Sequence, residues 1–161
     1  MILYPDPILT TPATPVEHFD STLADVAELI SEELKTANGL AVAAQQVGAT
    51  LSVFGYLHEQ TRETLFIVNP RLVYPHPKDQ WVFKEGCLSL PGRFWYIRRP
   101  RMVAYEGATL KGRKVKGEAR GIEGRMFQHE VDHLRGKLIV SRLTLSERKK
   151  LQREMKVEVS V

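Results

Sequence analysis

The segment from residue 19 to 39 spaces its apolar residues three and four apart, which is the period of a helix with one buried face. The stripe consists of Leu23, Val26, Ala27, Ile30 and Leu34. Asp20 or Ser21 can cap the start of this helix, and Gly39 stands where it would end. The pattern therefore predicts an amphipathic helix near the N-terminus.

Two short runs are instead rich in β-branched and aromatic residues, which is typical of strands. They are residues 51–57 and 64–68, and the polar residues between them predict a hairpin. Residues 101–119 predict a second hairpin, with its turn at Lys111 and Gly112. Strands joined in this way are antiparallel.

Two further segments have strand-like composition with interruptions. Residues 81–91, WVFKEGCLSLP, predict a strand that runs into a turn. Prolines recur within residues 69–77, and they restrict that segment to an edge strand or a loop because proline cannot donate to a central ladder.

The apolar period becomes helical again from Ile122 and ends at Gly136. After a short strand, Thr144 and Glu147 form a capping-box pattern that starts a charged amphipathic helix. Helices and strands do not alternate as in βαβ units. The order predicts one α+β domain over residues 1–161. We expect antiparallel strands around a central helix, together with an N-terminal and a C-terminal helix.

The composition is that of an ordinary globular protein, with 43% hydrophobic and 26% charged residues. No apolar run approaches the ~18 residues of a membrane span, and the first residues lack a signal-peptide pattern. Cys87 is the one cysteine, which indicates a reducing compartment. The net charge of +4 comes without a DNA-binding motif, and no heptad repeat indicates an oligomer. We therefore expect a cytoplasmic monomer without a DNA or membrane partner. The alternative location is the lumen of a compartment that is reached after removal of a transit segment.

Residues 128–133, QHEVDH, crowd four titratable groups into the second predicted helix. His129 and His133 are four residues apart, so they point the same way and can reach one metal ion. Glu130 is offset by ~100°, which suits a general base beside the metal better than a ligand. In the alternative interpretation, these acids are solvated partners of Arg125 and Arg135 and no metal is bound.

Two histidines do not complete a catalytic metal site, which usually has three protein ligands. No histidine follows position 133, and this weakens the interpretation as a metalloprotease with a downstream ligand. Upstream, Cys87 follows Gly86 in the segment EGCLSLP. A thiolate with two imidazoles suits zinc or ferrous iron.

Three separated segments, taken together, resemble the peptide deformylase family. The family pattern contains G-x-G-x-A-A-x-Q, then E-G-C-[LI]-S, then Q-H-E-x-D-H. In this chain GLAVAAQQ occupies residues 39–46, EGCLS residues 85–89 and QHEVDH residues 128–133, in the same order. The resemblance covers nearly the whole chain. It implies a metal-dependent hydrolase that removes the formyl group from N-formylmethionyl polypeptides and releases formate.

The resemblance also implies a role for each motif residue. Glu130 takes the proton of the attacking water and later delivers it to the leaving amine. The side chain of Gln46 and the backbone N–H of Leu88 stabilise the oxyanion. The implied ligands of one divalent ion per chain are Cys87, His129 and His133. Family members generally use Fe²⁺, so we expect Fe²⁺ in the cell and accept Zn²⁺, Ni²⁺ or Co²⁺ in a purified sample.

Further positions of the motifs imply the substrate pocket, which comprises Gly39, Leu40, Ala41, Glu85, Gly86, Ile122 and Met126. The apolar members of this set could equally be ordinary core. Ala41 stands where the family has a second glycine. Its methyl group could narrow the pocket entrance or shift substrate preference, but it need not block catalysis if the φ of Ala41 is negative. Glu85 and Arg99 are expected to pair and brace the Cys87 turn. Asp132 is expected to orient a ligand histidine or to pair with Arg135.

Two alternatives to the deformylase hypothesis remain at the level of sequence. One is an H-E-x-x-H metalloprotease, and the other is a non-enzymatic domain with a closed structural metal site. The basic C-terminal segment SERKKLQREMK, residues 146–156, has two interpretations of its own. It is either a solvated helix face or a weak contact to ribosomal RNA near the exit of the nascent chain.

Overall fold

The described part of the chain contains three α-helices and seven strands, linked by loops and short 3₁₀ turns. The computed structural model describes residues 1–37 and 39–159, with side chains up to Met155. The helices are α1 (Ser21–Thr36), α2 (Gly121–Leu134) and α3 (Leu145–Val159). The strands are β1 (Ala41–Ala43), β2 (Val53–Leu57), β3 (Thr64–Val73), β4 (Gln80–Cys87), β5 (Leu90–Pro100), β6 (Met102–Ala108) and β7 (Lys114–Arg120).

The strands form two antiparallel sheets. One has five strands in the order β1-β2-β3-β6-β7, and the other is the β4–β5 hairpin alone. Every pairing of consecutive neighbours in these sheets is antiparallel. The predicted α+β class with antiparallel sheet is therefore confirmed. In the described part of the chain, none of the helices has the length and apolar character that crossing a membrane requires.

Helix α1 follows its sequence pattern closely. All five residues of the predicted stripe are buried. Asp20 is the N-cap, and its carboxylate accepts from the backbone N–H groups of Thr22 and Leu23. The helix ends at Thr36, and Ala37 already has extended backbone angles. It therefore stops three residues before Gly39, and Gly39 lies in the loop that precedes strand β1.

Both predicted hairpins are present as β2–β3 and β6–β7, and Gly112 has a left-handed φ of 73° in the second turn. Strand β3 departs from the prediction, because it continues through Pro70 and lies third in a sheet of five. The register with β6 shifts between Val68 and Arg71. Beyond that shift β3 pairs with β6 alone, so the proline lies where no second neighbour needs its missing N–H.

Strand β5 was not predicted from the sequence. Residues 90–100 pair with β4 along its whole length, so the predicted strand and turn at residues 81–91 are one arm of a hairpin. Side chains alternate along β5, with Phe94, Tyr96 and Arg98 exposed while Ile97 and Arg99 are buried. A buried arginine on the inner face hides the apolar alternation that would otherwise identify a strand.

Helix α2 packs against strands of both sheets, with contacts to β1, β2, β3, β6 and β7 of the larger sheet and to β5 of the smaller one. Its apolar anchor is Phe127, which is 1% exposed. The ring of Phe127 meets Phe54, Tyr56 and Tyr105 edge-on, with centroids 5.2, 5.0 and 4.9 Å away. These contacts fix one face of the helix on the larger sheet and turn the opposite face toward β4 and β5.

The C-terminal region differs from the prediction in one element. The expected short strand between α2 and α3 is a 3₁₀ turn at Ile139–Arg142, whose buried residue is Ile139. The predicted capping box is present, since Glu147 Oε2 accepts from the Thr144 N–H at 2.8 Å. Leu151 of α3 is 2% exposed and belongs to the same apolar cluster as Cys87. Helix α3 therefore supports the small sheet from outside.

Candidate active site

Three potential metal ligands, distant in the chain, converge between the small sheet and helix α2. The Nε2 atoms of His129 and His133 lie 3.2 Å apart, and the Sγ of Cys87 lies 3.3 Å from His133 Nε2. The three ligand atoms all lie within 4.8 Å of one another, and all three residues are buried or nearly so. The sequence motifs predicted that these three residues share a site, and the fold brings them together in space.

The geometry of this group fits a single divalent cation. With metal–nitrogen distances of ~2.0–2.1 Å and a metal–sulfur distance of ~2.3 Å, tetrahedral ligand atoms lie about 3.3–3.6 Å apart. The observed 3.2 and 3.3 Å separations are close to that spacing. A thiolate and two imidazoles are also the donors that zinc and ferrous iron prefer. The residues present therefore fit the cofactor that the sequence implies.

The two imidazoles have opposite protonation tendencies. Burial, followed by the charge of His129, holds the pKa of His133 well below its usual range. Burial alone would lower the pKa of His129 too, but hydrogen bonds with Cys87 and Glu85 outweigh it and raise that pKa well above its usual value. Two adjacent buried imidazoles cannot both carry a proton without strong repulsion. A shared cation would replace that proton.

Local backbone geometry aims the ligands. His129 and His133 are one turn apart on α2, so their rings lie one above the other, with centroids 4.9 Å apart. Cys87 ends strand β4 at a register shift in the β4–β5 hairpin, between Gly86 and Cys87. Such a shift re-aims the side chain that follows it. An added Cβ at Gly86 would lie 2.7 Å from the ring of Phe94, so a side chain there would displace that ring.

Glu85 supports the site from the adjacent position on β4. Its Oε1 lies 2.8 Å from His129 Nδ1, and Arg99 donates to both carboxylate oxygens at 2.6 and 2.9 Å. Burial alone would raise the pKa of Glu85, but the hydrogen bonds from Arg99 and His129 hold it well below its usual range. The predicted Glu85–Arg99 pair is confirmed, and the same carboxylate orients one imidazole.

Asp132 does not have either role expected from the sequence. Its Oδ2 accepts from Arg99 Nη1 at 2.8 Å and from Arg142 at 2.6 and 2.9 Å. It neither orients a histidine nor pairs with the side chain of Arg135. The backbone N–H of Arg135 donates to the carbonyl oxygens of Val131 and Asp132, which is an ordinary helix-end contact. On α2 the carboxylate of Asp132 projects toward β5 and the 3₁₀ turn, where those two arginines lie. Glu85 therefore performs the orienting role instead.

Arg125 is a member of the site that sequence reasoning missed, because it was considered only as a solvated partner. It is 5% exposed and donates to Glu85 Oε2 at 2.8 Å. It also donates to the carbonyl oxygens of Ile97 at 3.0 Å and Trp81 at 2.8 Å. Arg125 therefore fastens helix α2 to both strands of the small sheet. No pattern in the sequence distinguishes it from the exposed arginines nearby.

Glu130 lies beside the candidate ligands in a buried setting, with 3% of its surface exposed. Burial raises the pKa of Glu130 to about 7, and the neighbouring charge of His129 only partly opposes this effect. Its Oε2 atom is buried and, among the described residues, has no hydrogen-bond partner. A carboxylate in this state can hold or release a proton near neutral pH.

Gln46 and Leu88 are the two predicted oxyanion donors, and both lie close to Cys87. Gln46 Oε1 accepts from the Ala43 N–H at 3.0 Å, and this fixes the orientation of the amide. Its Nε2 donates to Ser89 Oγ at 3.1 Å and lies 3.9 Å from Cys87 Sγ. Leu88 follows the cysteine directly and lines the same cleft. Both predicted oxyanion donors are thus close to the thiol.

An apolar cleft of about 510 Å³ leads to this group of residues. Every predicted substrate-pocket residue lies on its wall, namely Gly39, Leu40, Ala41, Glu85, Gly86, Ile122 and Met126. Leu40 and Ile122 are 46% and 43% exposed, so they are not ordinary core. Ala41 lies in β1 and is absent from the described non-glycine residues with positive φ, which are Arg62 and Asn69. Its methyl group is therefore accommodated without backbone strain.

The fold and the site together define a class, namely an α+β metal-dependent hydrolase with an H-E-x-x-H helix facing a cysteine-bearing hairpin. The family model described as polypeptide deformylase matches residues 1–149. The chain belongs to the polypeptide deformylase family and is an enzyme of that class.

Individual relatives agree with this assignment. A peptide deformylase of Parafrankia sp. (strain EAN1pec) is 38% identical over 138 residues, which cover 86% of this chain and 74% of the relative. A peptide deformylase of Bartonella quintana (strain Toulouse) is 32% identical, covering 97% of this chain and 90% of the relative. The crystal structure of a peptide deformylase from Legionella pneumophila superimposes with a TM-score of 0.87 at 30% identity, covering 99% of this chain and 96% of that one.

Proposed function

We propose that this protein hydrolyses the N-formyl group of formylmethionyl peptides and releases formate. The observation that carries the proposal is that Cys87, His129 and Glu130 line one apolar cleft, while His133 lies within ligand distance of the first two. Membership of the deformylase family supports this chemistry and does not favour the metalloprotease or the structural-metal alternative. The chain is proposed to act as one catalytic domain over its 161 residues.

The proposed ligands of the cation are Cys87, His129 and His133, with Fe²⁺ as the ion in the cell. Zn²⁺, Ni²⁺ and Co²⁺ suit the same donors and would bind in a purified sample. A divalent cation held there supplies Lewis-acid chemistry and lowers the pKa of water toward neutrality.

Glu130 is proposed to move the proton in both halves of the reaction. Its carboxylate accepts the proton of the attacking water and then delivers it to the departing amine nitrogen. Burial suits this double role, because it brings the pKa of the Glu130 carboxyl to about 7. A group with a pKa near the working pH can both accept and donate a proton. Its unpartnered Oε2 atom leaves an acceptor available for that water.

The negative charge that develops on the formyl oxygen is proposed to be stabilised by Gln46 Nε2 and the Leu88 backbone N–H. The hydrogen bond from the Ala43 N–H to Gln46 Oε1 turns the NH₂ group of that amide toward the cleft side of Cys87. A donor that is already oriented costs no reorganisation during the reaction. Gln46→Leu should therefore lower the rate by ~10²–10³-fold.

The methionine side chain of the substrate is proposed to occupy the apolar wall formed by Leu40, Ile122 and Met126, with Gly39, Ala41 and Gly86 allowing close approach of its backbone. Glu85 borders the same space, but its carboxylate is bonded to protein groups. Its contribution to substrate binding is therefore proposed to come from shaping the wall.

Formate release from formyl-Met-Ala-Ser, measured anaerobically with Fe²⁺, tests the proposal. Glu130→Gln should lower the rate by ~10²–10⁴-fold while the bound metal, measured separately, stays near one ion per chain. Glu123→Gln is the matched control, because Glu123 lies on the same helix but outside the cleft. No formate from the unmodified protein, or full activity in Glu130→Gln, would refute the proposal.

A weak contact between α3 and ribosomal RNA is proposed as well, in keeping with a substrate on nascent chains in the cytoplasm. Lys149, Lys150 and Arg153 are exposed on this helix. Truncation would be a poor test, because Leu151 is buried in the same apolar cluster as Cys87. The better test is ribosome co-sedimentation of a Lys149→Glu, Arg153→Glu variant at low and moderate salt. If this variant co-sediments with ribosomes as the unmodified protein does, the proposed contact is refuted.

The protein is also proposed to be a monomer, and sedimentation velocity of the purified protein tests this.

A further inference from the structure

The outer face of the β4–β5 hairpin is an exposed strip of aromatic and basic side chains. Opposite partners in this hairpin include Val82 with Arg98, Lys84 with Tyr96 and Gly86 with Phe94. Residues two apart on a strand share a face, so these three pairs lie on one surface. Tyr96 is 75% exposed, Phe94 57% and Val82 44%. Isolated exposed apolar residues are ordinary, but a continuous strip of them indicates a binding surface.

This strip is continuous with the cleft of the active site. Lys84, Gly86 and Phe94 line the cleft wall that also contains His129 and Glu130. The ring of Phe94 lies over Gly86, in the space that a side chain at that position would fill. Lys84 Nζ lies 4.7 Å from the centroid of the same ring. The rim of the cleft therefore leads directly from the candidate catalytic groups onto the outer strip.

The charge on the strip is positive. Among the residues that the structure describes, no carboxylate lies within ion-pair distance of Lys84 or Arg98. Both side chains are exposed. The acidic residue of this hairpin, Glu85, is turned to the inner face and bonded there. Among the described residues no carboxylate pairs with either cation, so a ligand on the strip would meet both of them.

We infer that the outer strip binds the substrate segment downstream of the formylated methionine and favours acidic and aromatic side chains there. The inference rests on the proposed function, because that function places the formyl end of the peptide beside Glu130. An extended peptide advances ~3.3 Å per residue. Successive pairs of the strip, two residues apart, therefore lie about 7 Å from one another. A peptide leaving the cleft over Phe94 covers the strip with roughly its third to sixth residues.

A positional scan with synthetic substrates tests the inference. The peptides are formyl-Met-Ala followed by serines, with one glutamate or one lysine at the third, fourth, fifth, sixth or tenth position. Exposed charge pairs contribute up to about 1 kcal/mol, which corresponds to about fivefold. We expect kcat/KM at low salt to favour glutamate over lysine by about two- to fivefold at the third to sixth positions. The preference should vanish at the tenth position and shrink at 0.5 M salt.

Charge reversal assigns the effect to the strip. Lys84→Glu should reverse the glutamate preference, and Arg98→Glu should weaken it at the positions farther from the methionine. Lys111→Glu changes the net charge equally on the β6–β7 turn, outside the cleft, and should leave the preference within about twofold. A second set of peptides tests the aromatic side chains of the strip. Replacing a serine next to the varied position of the peptide with phenylalanine should raise kcat/KM for the unmodified protein. The Tyr96→Ala variant should not show this increase.

The possible outcomes separate this inference from the proposed function. If formyl-Met-Ala-Ser is hydrolysed but glutamate and lysine peptides react equally, the inference is wrong and the proposed function stands. If no formyl peptide is hydrolysed, the proposed function itself fails. Binding of a short single-stranded RNA that Lys84→Glu abolishes, without any peptide preference, would assign the strip to RNA and also overturn the inference.

Discussion

The Nδ1 atom of His129 lies 2.8 Å from Oε1 of Glu85, so a strand of the small sheet fixes the ring of a residue on helix α2. A carboxylate in this position holds the imidazole in one tautomer and leaves Nε2 free for a metal ion. The two residues are 44 positions apart in the chain, and the fold is needed to bring them together.

Glu85→Gln should therefore weaken metal binding. We expect the affinity to fall by ~10–100-fold, as is usual when the partner of a ligand histidine is altered. Competition with a coloured chelator measures the change, and Glu106→Gln is the control because Glu106 lies in an exposed pair with Arg71. Unchanged affinity in Glu85→Gln would show that His129 is held by other contacts.

Arg99→Met should destabilise the fold strongly. Arg99 is 1% exposed and donates to both Glu85 and Asp132, so its removal leaves two buried carboxylates with reduced compensation. Breaking a buried pair of this kind costs about 3–5 kcal/mol. Urea titration measures the free energy of unfolding. The neighbouring exposed Arg98, replaced by Met, is the matched control and should change it by less than about 1 kcal/mol. Equal values for both variants would contradict the prediction.

Gly136→Ala should cost more stability than Gly48→Ala. Both glycines have left-handed backbone angles, with φ of 66° and 86°. A side chain costs roughly 1–2 kcal/mol there from the backbone alone. At Gly136 an added Cβ would also collide with the backbone carbonyl of Thr10, whereas at Gly48 nothing lies within 4 Å. Thermal unfolding measures the stability of the two variants, and the difference between them reports the contact with the Thr10 carbonyl. Equal losses of stability in both variants would contradict the prediction.

Metal removal should lower the melting temperature without unfolding the protein at 25 °C. Three apolar clusters hold the fold together, and only one of them includes Cys87. Saturation at a thousand times Kd adds about 4 kcal/mol to stability, which for this size corresponds to roughly 8–16 °C. Calorimetry with and without a chelator measures the shift. Complete unfolding at 25 °C after chelation would instead favour the structural-metal alternative.

Local sequence patterns predicted a large part of the fold. The stripe of α1, the capping box before α3 and the two hairpins of the larger sheet depend on neighbours in sequence, so periodicity and turn residues reveal them. Strand β5 was missed because its inner face carries Arg99. The expected strand after α2 became a 3₁₀ turn. A few apolar residues in a row do not distinguish these two structures.

The candidate site was predictable only where a motif exists. Two imidazoles four residues apart on a helix define a shared direction, and the resemblance supplied Cys87, Gln46 and Leu88. The pairing of Arg99 with Glu85 followed from the motif, but the contacts that Arg99 and Arg142 make with Asp132, and that Arg125 makes with Glu85, could not be predicted. Whether an arginine is solvated or buried depends on which carboxylates the fold brings to it, and those lie on other elements.

The thiol belongs to the small sheet, and the two imidazoles belong to a helix anchored on the large sheet. The width of the gap between these layers therefore sets the spacing of the three donor atoms. A ligand that increases the separation of these layers would also increase the distances between the three donor atoms. Their affinity for a metal ion would then fall. We therefore expect ligands that are too bulky for the gap to lower the affinity of these three residues for a metal ion, whereas slender extended ligands should leave that affinity unchanged.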